Sequence, residues 1–328
     1  MNQIFSEKYI RLNVATINWS TISITQQLSH EFICEFADKI VWEELSCNPY
    51  LEEKTIREFC DFVDWNAICS SQKLSEAFIM EFYDRMNWNE VSCSQRLSEQ
   101  FIRDHADILN WNNISRFQCL SEQFIREFKD RLIWTYICLS QVLSEEFIEE
   151  FIDKVTWWEI CYSQTLSESF IRKYKNNVYW KWISYNQILS ETFIREFKDK
   201  VDWIGISFSQ KLSNGFIKEF EDKVDWSGIS TQQRLSENFI RDFQNKVDWK
   251  WVSFYQILSE EFVNEFNNKI DWELISQNKS LSRSFIRTFK SQIMMCDNIR
   301  NCIRRGQIED VLKQKFPSEM VQLISTCI

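Results

Sequence analysis

The sequence predicts an all-α protein: an α-solenoid, or superhelix, of about twelve two-helix repeats of 23 residues with a C-terminal helical cap. Three observations predict it. Tryptophan returns every 23 residues without a slip, at Trp19, Trp42, Trp65, Trp88, Trp111, Trp134, Trp157, Trp180, Trp203, Trp226, Trp249 and Trp272, and a bulky residue at one fixed interval marks one supersecondary unit copied along the chain. Only 4 Gly and 2 Pro occur in 328 residues, which favours helices joined by tight corners over hairpins and long loops. Within each unit the apolar residues recur at helical spacing.

Units begin near residues 5, 28, 51, 74, 97, 120, 143, 166, 189, 212, 235, 258 and 281, each on an apolar residue just before a recurring Ser. That apolar residue is Phe5 in the first unit and Leu in the others. The array spans 1–293, ending in a half unit, and 294–328 leaves the repeat as a cap in which 307–316 and 317–324 read as helices. Stacked repeats touch mainly their neighbours, so the array reads as one continuous domain despite its length.

The copy LSETFIREFKDKVDWIGISFSQK, residues 189–211, shows what each position does. Ser190 stands where an N-cap belongs, and Glu191 follows it at the positive end of the helix dipole. Phe193, Ile194, Phe197 and Val201 form one apolar stripe of 3.6-residue period, so the first helix is read as Glu191–Val201. Asp202 is a second N-cap, and Trp203 and Ile206 begin the next apolar face of a short helix over 203–209. Asp, Asn or Thr fills this cap in nine of twelve units, with Val41, Ile133 and Tyr179 departing. Neither helix reaches the ~12–15 residues at which an isolated helix becomes marginal, so each must bury its stripe on neighbours. The first unit replaces the second Phe by Asn13, as suits an end that meets water, and the third is irregular, with Pro49 before Leu51 and Thr55 in place of Phe.

Net charge is −10, the sum of −11 over residues 1–290 and +1 over 291–328. Such a surface argues against binding nucleic-acid phosphates or an anionic membrane. No apolar run approaches the ~18 residues of a membrane span, and Met1–Asn18 lacks the pattern of a signal peptide. The 11 cysteines are odd in number and include no CxxC pair; reduced thiols in the cytoplasm, or in the nucleus, are the simplest reading. Arg57, Arg103, Arg126, Arg172, Arg195, Arg241 and Arg287 form a ladder, but carboxylates flank it at i,i+4 spacing, so a solvated, self-paired face is expected.

The unit "LSE.FIREF.DKVDW..IS..Q" resembles short tandem repeats in proteins of large DNA viruses, including the giant viruses of amoebae, and of some phages. The resemblance covers about Phe5–Ile293 and omits the cap. It implies a scaffold or interaction protein, virus-encoded and active in a host cell, and it transfers no catalytic residue.

Chemistry is hard to find. His105 occupies a Phe position and is expected in the core; His30 takes the usual Glu position and is expected to be exposed. Neither shows ligand candidates at metal spacing, and Cys296 and Cys302 make an unconvincing motif, so no metal or other cofactor is expected. Cys69, Cys138 and Cys161 replace a Ser where small buried residues go. No phosphate loop, dinucleotide fingerprint or HExxH occurs, and the paired carboxylates are explained as helix-face charges. No enzymatic activity is expected.

The candidate site consists of positions the period leaves open. One, two, five and six residues after the Trp, units five to eleven carry Phe117, Tyr136, Trp158, Tyr162, Trp182, Tyr185, Phe208, Trp251, Phe254 and Tyr255, with a gap in the tenth unit. Aromatic residues are enriched at interfaces, so one reading is a protein- or peptide-binding strip. The other is that the rings fill space between short helices. The leading function is therefore a non-enzymatic protein–protein interaction scaffold. The alternative is a repeat protein that binds single-stranded nucleic acid, stacking bases on the aromatics, and a third reading is a small-molecule sink with pockets between units.

Overall fold

The computed structural model describes residues 5–278, 280–282 and 284–287. The expected cap helices, the end of the half unit, and Cys296 and Cys302 lie outside the described residues. Among the described residues the protein is all-helical, twelve helix pairs running from Glu7–Leu12 with Trp19–Thr25 to Glu260–Glu265 with Trp272–Ile275. Each pair is one repeat, which makes the fold a helical-repeat solenoid. The helices fall into two compact units, one ending at Val178 and the other beginning at Tyr179. The boundary cuts between the two helices of the eighth repeat, and the 23-residue period crosses it unbroken.

The two helices of a repeat differ in what ends them. Ser190 Oγ accepts the Phe193 N–H and opens the first helix, Glu191–Glu196. This helix is five residues shorter than the apolar stripe suggests. Its continuation is blocked because Trp203 Nε1 donates to the Lys198 carbonyl at 3.0 Å and the Asp202 N–H turns away to Ser184 Oγ at 2.8 Å. The indole thus satisfies a carbonyl that a further helical turn would need. Lys200 and Val201 N–H groups both return to the Phe197 carbonyl, and this turn keeps Val201 buried beside Phe193, Ile194 and Phe197.

Asp202 accepts the Gly205 N–H and opens the second helix, Trp203–Ser209, on the bounds the sequence implies. Val41, Ile133 and Tyr179 make no side-chain cap, and neither does Thr156, so Thr at this position does not do the work of Asp or Asn. Within each compact unit the second helices stack on one another in chain order. Trp203 lies across the rings of Phe216 and Phe220 in the following repeat, at 6.2 and 4.9 Å. Phe216 is fully buried, and a large side chain so placed contributes about 2–3 kcal/mol.

A buried hydrogen-bond ladder joins the repeats. Gln210 Nε2 donates to the carbonyls of Ser184 and Gln187 at 3.0 and 2.7 Å, and its Oε1 accepts the Leu189 N–H at 3.0 Å. The last carbonyls of a helix have no partner within it, so each Gln caps the second helix of the repeat before it. Gln72, Gln95, Gln118, Gln141, Gln164, Gln187, Gln233 and Gln256 are buried at the same position. Ser207 adds a second tie, donating to the Trp203 carbonyl and accepting the Asp225 N–H at 2.8 Å.

Candidate interaction surface

The aromatic candidates divide by depth. Phe117, Trp158, Tyr162, Phe208 and Tyr255 are exposed; Tyr136, Trp182, Tyr185, Trp251 and Phe254 are half-buried. Residues one and six after the Trp (Trp158, Phe117, Tyr255) are exposed, those two after it (Tyr136, Trp182, Trp251) are half-buried, and those five after it fall in both classes.

In the unit ending at Val178, Arg116 lies over both Phe117 and Tyr136, at 5.0 and 5.5 Å, and Trp158 sits 6.1 Å from Tyr162. Between those last two in sequence stands Glu159. It is 3 % exposed, and its Oε2 has no hydrogen-bond partner. A buried carboxylate oxygen left so is costly, and it is an acceptor set among aromatic residues.

In the unit beginning at Tyr179, Lys181 and Lys250 lie over Trp182 and Trp251, and Tyr255 packs on Trp251 and Phe254 at 5.8 and 4.7 Å. Two rings here are space-fillers. A Cβ on Gly205 would meet the Tyr185 ring at 2.7 Å, and one on Gly228 would meet Phe208 at 2.9 Å. Glycine at these positions makes room for the aromatic ring of the preceding repeat. The space-filling reading therefore holds for Tyr185 and Phe208.

Three exposed apolar residues escape the aromatic criterion. Val142, Ile188 and Ile257 are 95 %, 94 % and 74 % exposed, in the corner eight residues after the Trp. Other repeats carry Lys73, Arg96, Lys211 and Arg234 there, so an aliphatic residue among cations was the available signal.

The first-helix face is self-paired. Arg195 Nε donates to Glu219 of the next repeat at 2.8 Å and lies 3.5 Å from Glu191 of its own helix, while Glu191 Oε1 accepts the Ser213 N–H. Arg57, Arg103, Arg126 and Arg241 repeat the double pairing, and Arg172 pairs with Glu168. The hydrogen bond it donates to Glu150 holds the Arg126 guanidinium above its usual pKa. Burial works against the Glu122 carboxylate, but hydrogen bonds from Ser144 and the charge of Arg126 outweigh it and lower its pKa.

The buried thiols match expectation: Cys69, Cys138 and Cys161 are fully buried, and burial pushes Cys138 up to about 11, which keeps it an inert thiol. His105 stacks on Phe101 at 4.3 Å and on Trp88 at 6.4 Å, a half-buried substitute for Phe. His30 departs from expectation. Its side chain is only 11 % exposed, and its ring meets Thr55, Glu58 and Cys34, so the sequence-level view that neither histidine has ligand candidates nearby is incorrect. Cys34 is one turn along the same helix; Glu58 arrives from the next repeat.

A hollow lined by Lys73, Leu74, Ser94, Gln95 and Arg96 lies between two repeats. Its Gln95 amide is already bound to Cys69, Gln72 and Leu74 backbone atoms. No helix among the described residues is long and apolar enough to cross a membrane. No family model, curated protein or solved structure matches the chain.

Proposed function

We propose that the protein is a non-enzymatic scaffold that binds a protein or peptide through aromatic and aliphatic side chains on its second helices and corners. One observation carries this reading. Where the repeat is regular, its polar groups are consumed internally, in the Gln ladder and the Arg–Glu pairs; where it is irregular, it exposes Trp158, Tyr162, Phe117, Tyr255, Ile188 and Ile257 to solvent. Exposed apolar residues at non-structural positions mark interaction sites. The likeness of the unit to repeats of virus-encoded proteins supports a partner in a host cytoplasm. The nucleic-acid alternative loses support, because the arginine ladder that would reach phosphates is held by carboxylates.

The test is affinity capture with mass spectrometry from a host-cell lysate, comparing the full chain with Trp158→Ser/Tyr162→Ser and with Phe117→Ser/Tyr255→Ser. Circular dichroism first establishes that both variants stay folded. A partner held by the parent and lost from either variant is the expected result. Capture unchanged in both variants removes the aromatic positions from the site, and salt-sensitive retention of RNA by the parent favours the alternative.

A further inference from the structure

We propose that His30, Cys34 and Glu58 form a binding site for a divalent transition-metal cation of the zinc class. One donor atom from each of the three residues lies within 4.8 Å of the other two. His30 Nε2 is 3.0 Å from Glu58 Oε2, Cys34 Sγ is 3.7 Å from His30 Nε2, and Cys34 Sγ is 3.6 Å from Glu58 Oε1. Zinc bonds of about 2.0–2.1 Å to nitrogen, 2.0–2.2 Å to oxygen and 2.3 Å to sulfur at tetrahedral angles separate the donors by roughly 3.3 to 3.6 Å. One Glu58 oxygen faces the His30 nitrogen and the other the Cys34 sulfur, so side-chain shifts of about an ångström bring the three residues onto one cation.

The repeat itself explains why a cation belongs there. In a regular repeat this socket holds Glu191, Arg195 and Glu219, with the guanidinium bridging two carboxylates across the junction. His30 stands at the Glu191 position, Cys34 at the Arg195 position and Glu58 at the Glu219 position. The bridging positive charge is gone and the carboxylate that received it remains. A bound cation restores the charge and ties the same two helices together. Other repeats lose the Arg too, as at Met80 and Glu149, but keep Glu76 and Glu145; among the described residues only this socket gathers His, Cys and Glu within 4.8 Å.

A further departure supports the site. Thr55 takes the place of a fully buried Phe such as Phe193 and is itself buried. Its hydroxyl lies 3.0 Å from His30 Nδ1. A metal-binding histidine characteristically donates its second ring N–H to a neighbouring oxygen, which leaves the other nitrogen free for the metal. The mixed nitrogen, sulfur and oxygen set suits Zn²⁺ or Co²⁺ and disfavours Mg²⁺ and Ca²⁺, which take oxygen donors. Cys34 and Glu58 are exposed, giving the ion an entry path. On binding, the Cys34 thiol releases its proton to solvent and the thiolate forms the metal–sulfur bond; the fourth tetrahedral position goes to water.

Titration of the full chain with Co²⁺, followed by absorption, tests the proposal. The expected result is a thiolate-to-cobalt charge-transfer band that saturates at one equivalent and is displaced by Zn²⁺. The band is absent in Cys34→Ser, unchanged in Cys93→Ser, and shifted about 10–100-fold to weaker affinity in Thr55→Val. Zn²⁺ should also raise the melting midpoint of the parent and leave that of His30→Glu/Cys34→Arg unmoved, a variant that returns the socket to its regular residues and so keeps the fold. No saturable band in the parent overturns the proposal. So does a band that survives in Cys34→Ser, or an equal rise in midpoint in both proteins.

Discussion

Residues 189–233 and residues 28–58 solve the same packing problem with different side chains. In the first stretch the junction between residues 189–211 and the next repeat holds its usual occupants: Gln210 and Gln233 on the preceding helix, Ser213 on Glu191, Arg195 between two carboxylates. In the second, Asn48 stands one residue before the Gln position, Glu52 replaces the Ser cap, and His30 and Cys34 replace the Glu–Arg pair. Asn48 Nδ2 still reaches the two carbonyls that a Gln would, those of Ser23 and Gln26, both at 2.7 Å. The shorter side chain cannot also reach the N–H of the residue that opens its own repeat, as Gln210 reaches Leu189. Its Oδ1 accepts Tyr50 N–H instead, and the second helix ends at Ser46, two residues early. Asn278 repeats the solution, with Ser253 and Gln256 as acceptors and Ser280 as the local donor. The lesson is that the backbone groups at a junction define the requirement, and the side chain that meets it can change.

The sharpest way to break the comparison is at the ladder. Gln210→Leu removes three buried hydrogen bonds and leaves one N–H and two carbonyls unmatched. At about 1–3 kcal/mol for each unsatisfied buried group, the expected loss is ~4 kcal/mol. Asn48→Leu removes two bonds across the junction and is expected to cost ~2–3 kcal/mol. Urea denaturation measures both; equal losses would mean that the Leu189 N–H bond contributes nothing.

Much of this architecture is legible in the sequence. Ser190, Asp202 and their equivalents are local signals, since an N-cap is satisfied within three residues. The bounds of the second helix follow from them. The end of the first helix does not, because it depends on an indole folding back on Lys198 while the next N–H leaves for a hydroxyl in the previous repeat. The recurring Gln is visible as a letter of the repeat, yet its partners lie 21, 23 and 26 residues away, so no local pattern reveals that it is a cap. The aromatic set is legible as residues but not as depth: Tyr185 and Phe208 read like Tyr162 until Gly205 and Gly228 are seen beneath them. The metal-site trio is half legible. His30 and Cys34 are one turn apart, but Glu58 joins them only through the 24-residue offset that pairs Arg195 with Glu219.

Acid weakens the pairs between regular repeats less severely. Hydrogen bonds from Lys154 and Lys223 hold the carboxyls of Asp130 and Asp199 below their usual pKa, as Ser144 and Arg126 do for Glu122. A carboxyl whose folded pKa is depressed contributes stability that is present above its unfolded value, near 4, and is lost as pH falls through the lower folded value. The melting midpoint of the full chain is therefore expected to hold from neutrality to about pH 5 and to fall below about pH 4. A midpoint that is flat down to pH 2 would deny the inter-repeat pairs any role in stability.

The smallest expected effect tests the comparison most directly. His30→Glu/Cys34→Arg rebuilds the regular socket: the new carboxylate and guanidinium stand one turn apart, and Glu58 receives the guanidinium as Glu219 does in the regular stretch. These groups lie at the surface, where ion pairs contribute little, so the metal-free variant should melt roughly 1–2 °C above the parent. The gain is limited because Thr55 loses its ring partner and the socket still opens on Glu52 in place of Ser. Chelator-treated parent and variant are compared by circular dichroism. A variant that melts several degrees lower would mean that His30 and Thr55 form a structural pair worth more than the consensus bridge, and the irregular stretch would then be a distinct solution to the junction.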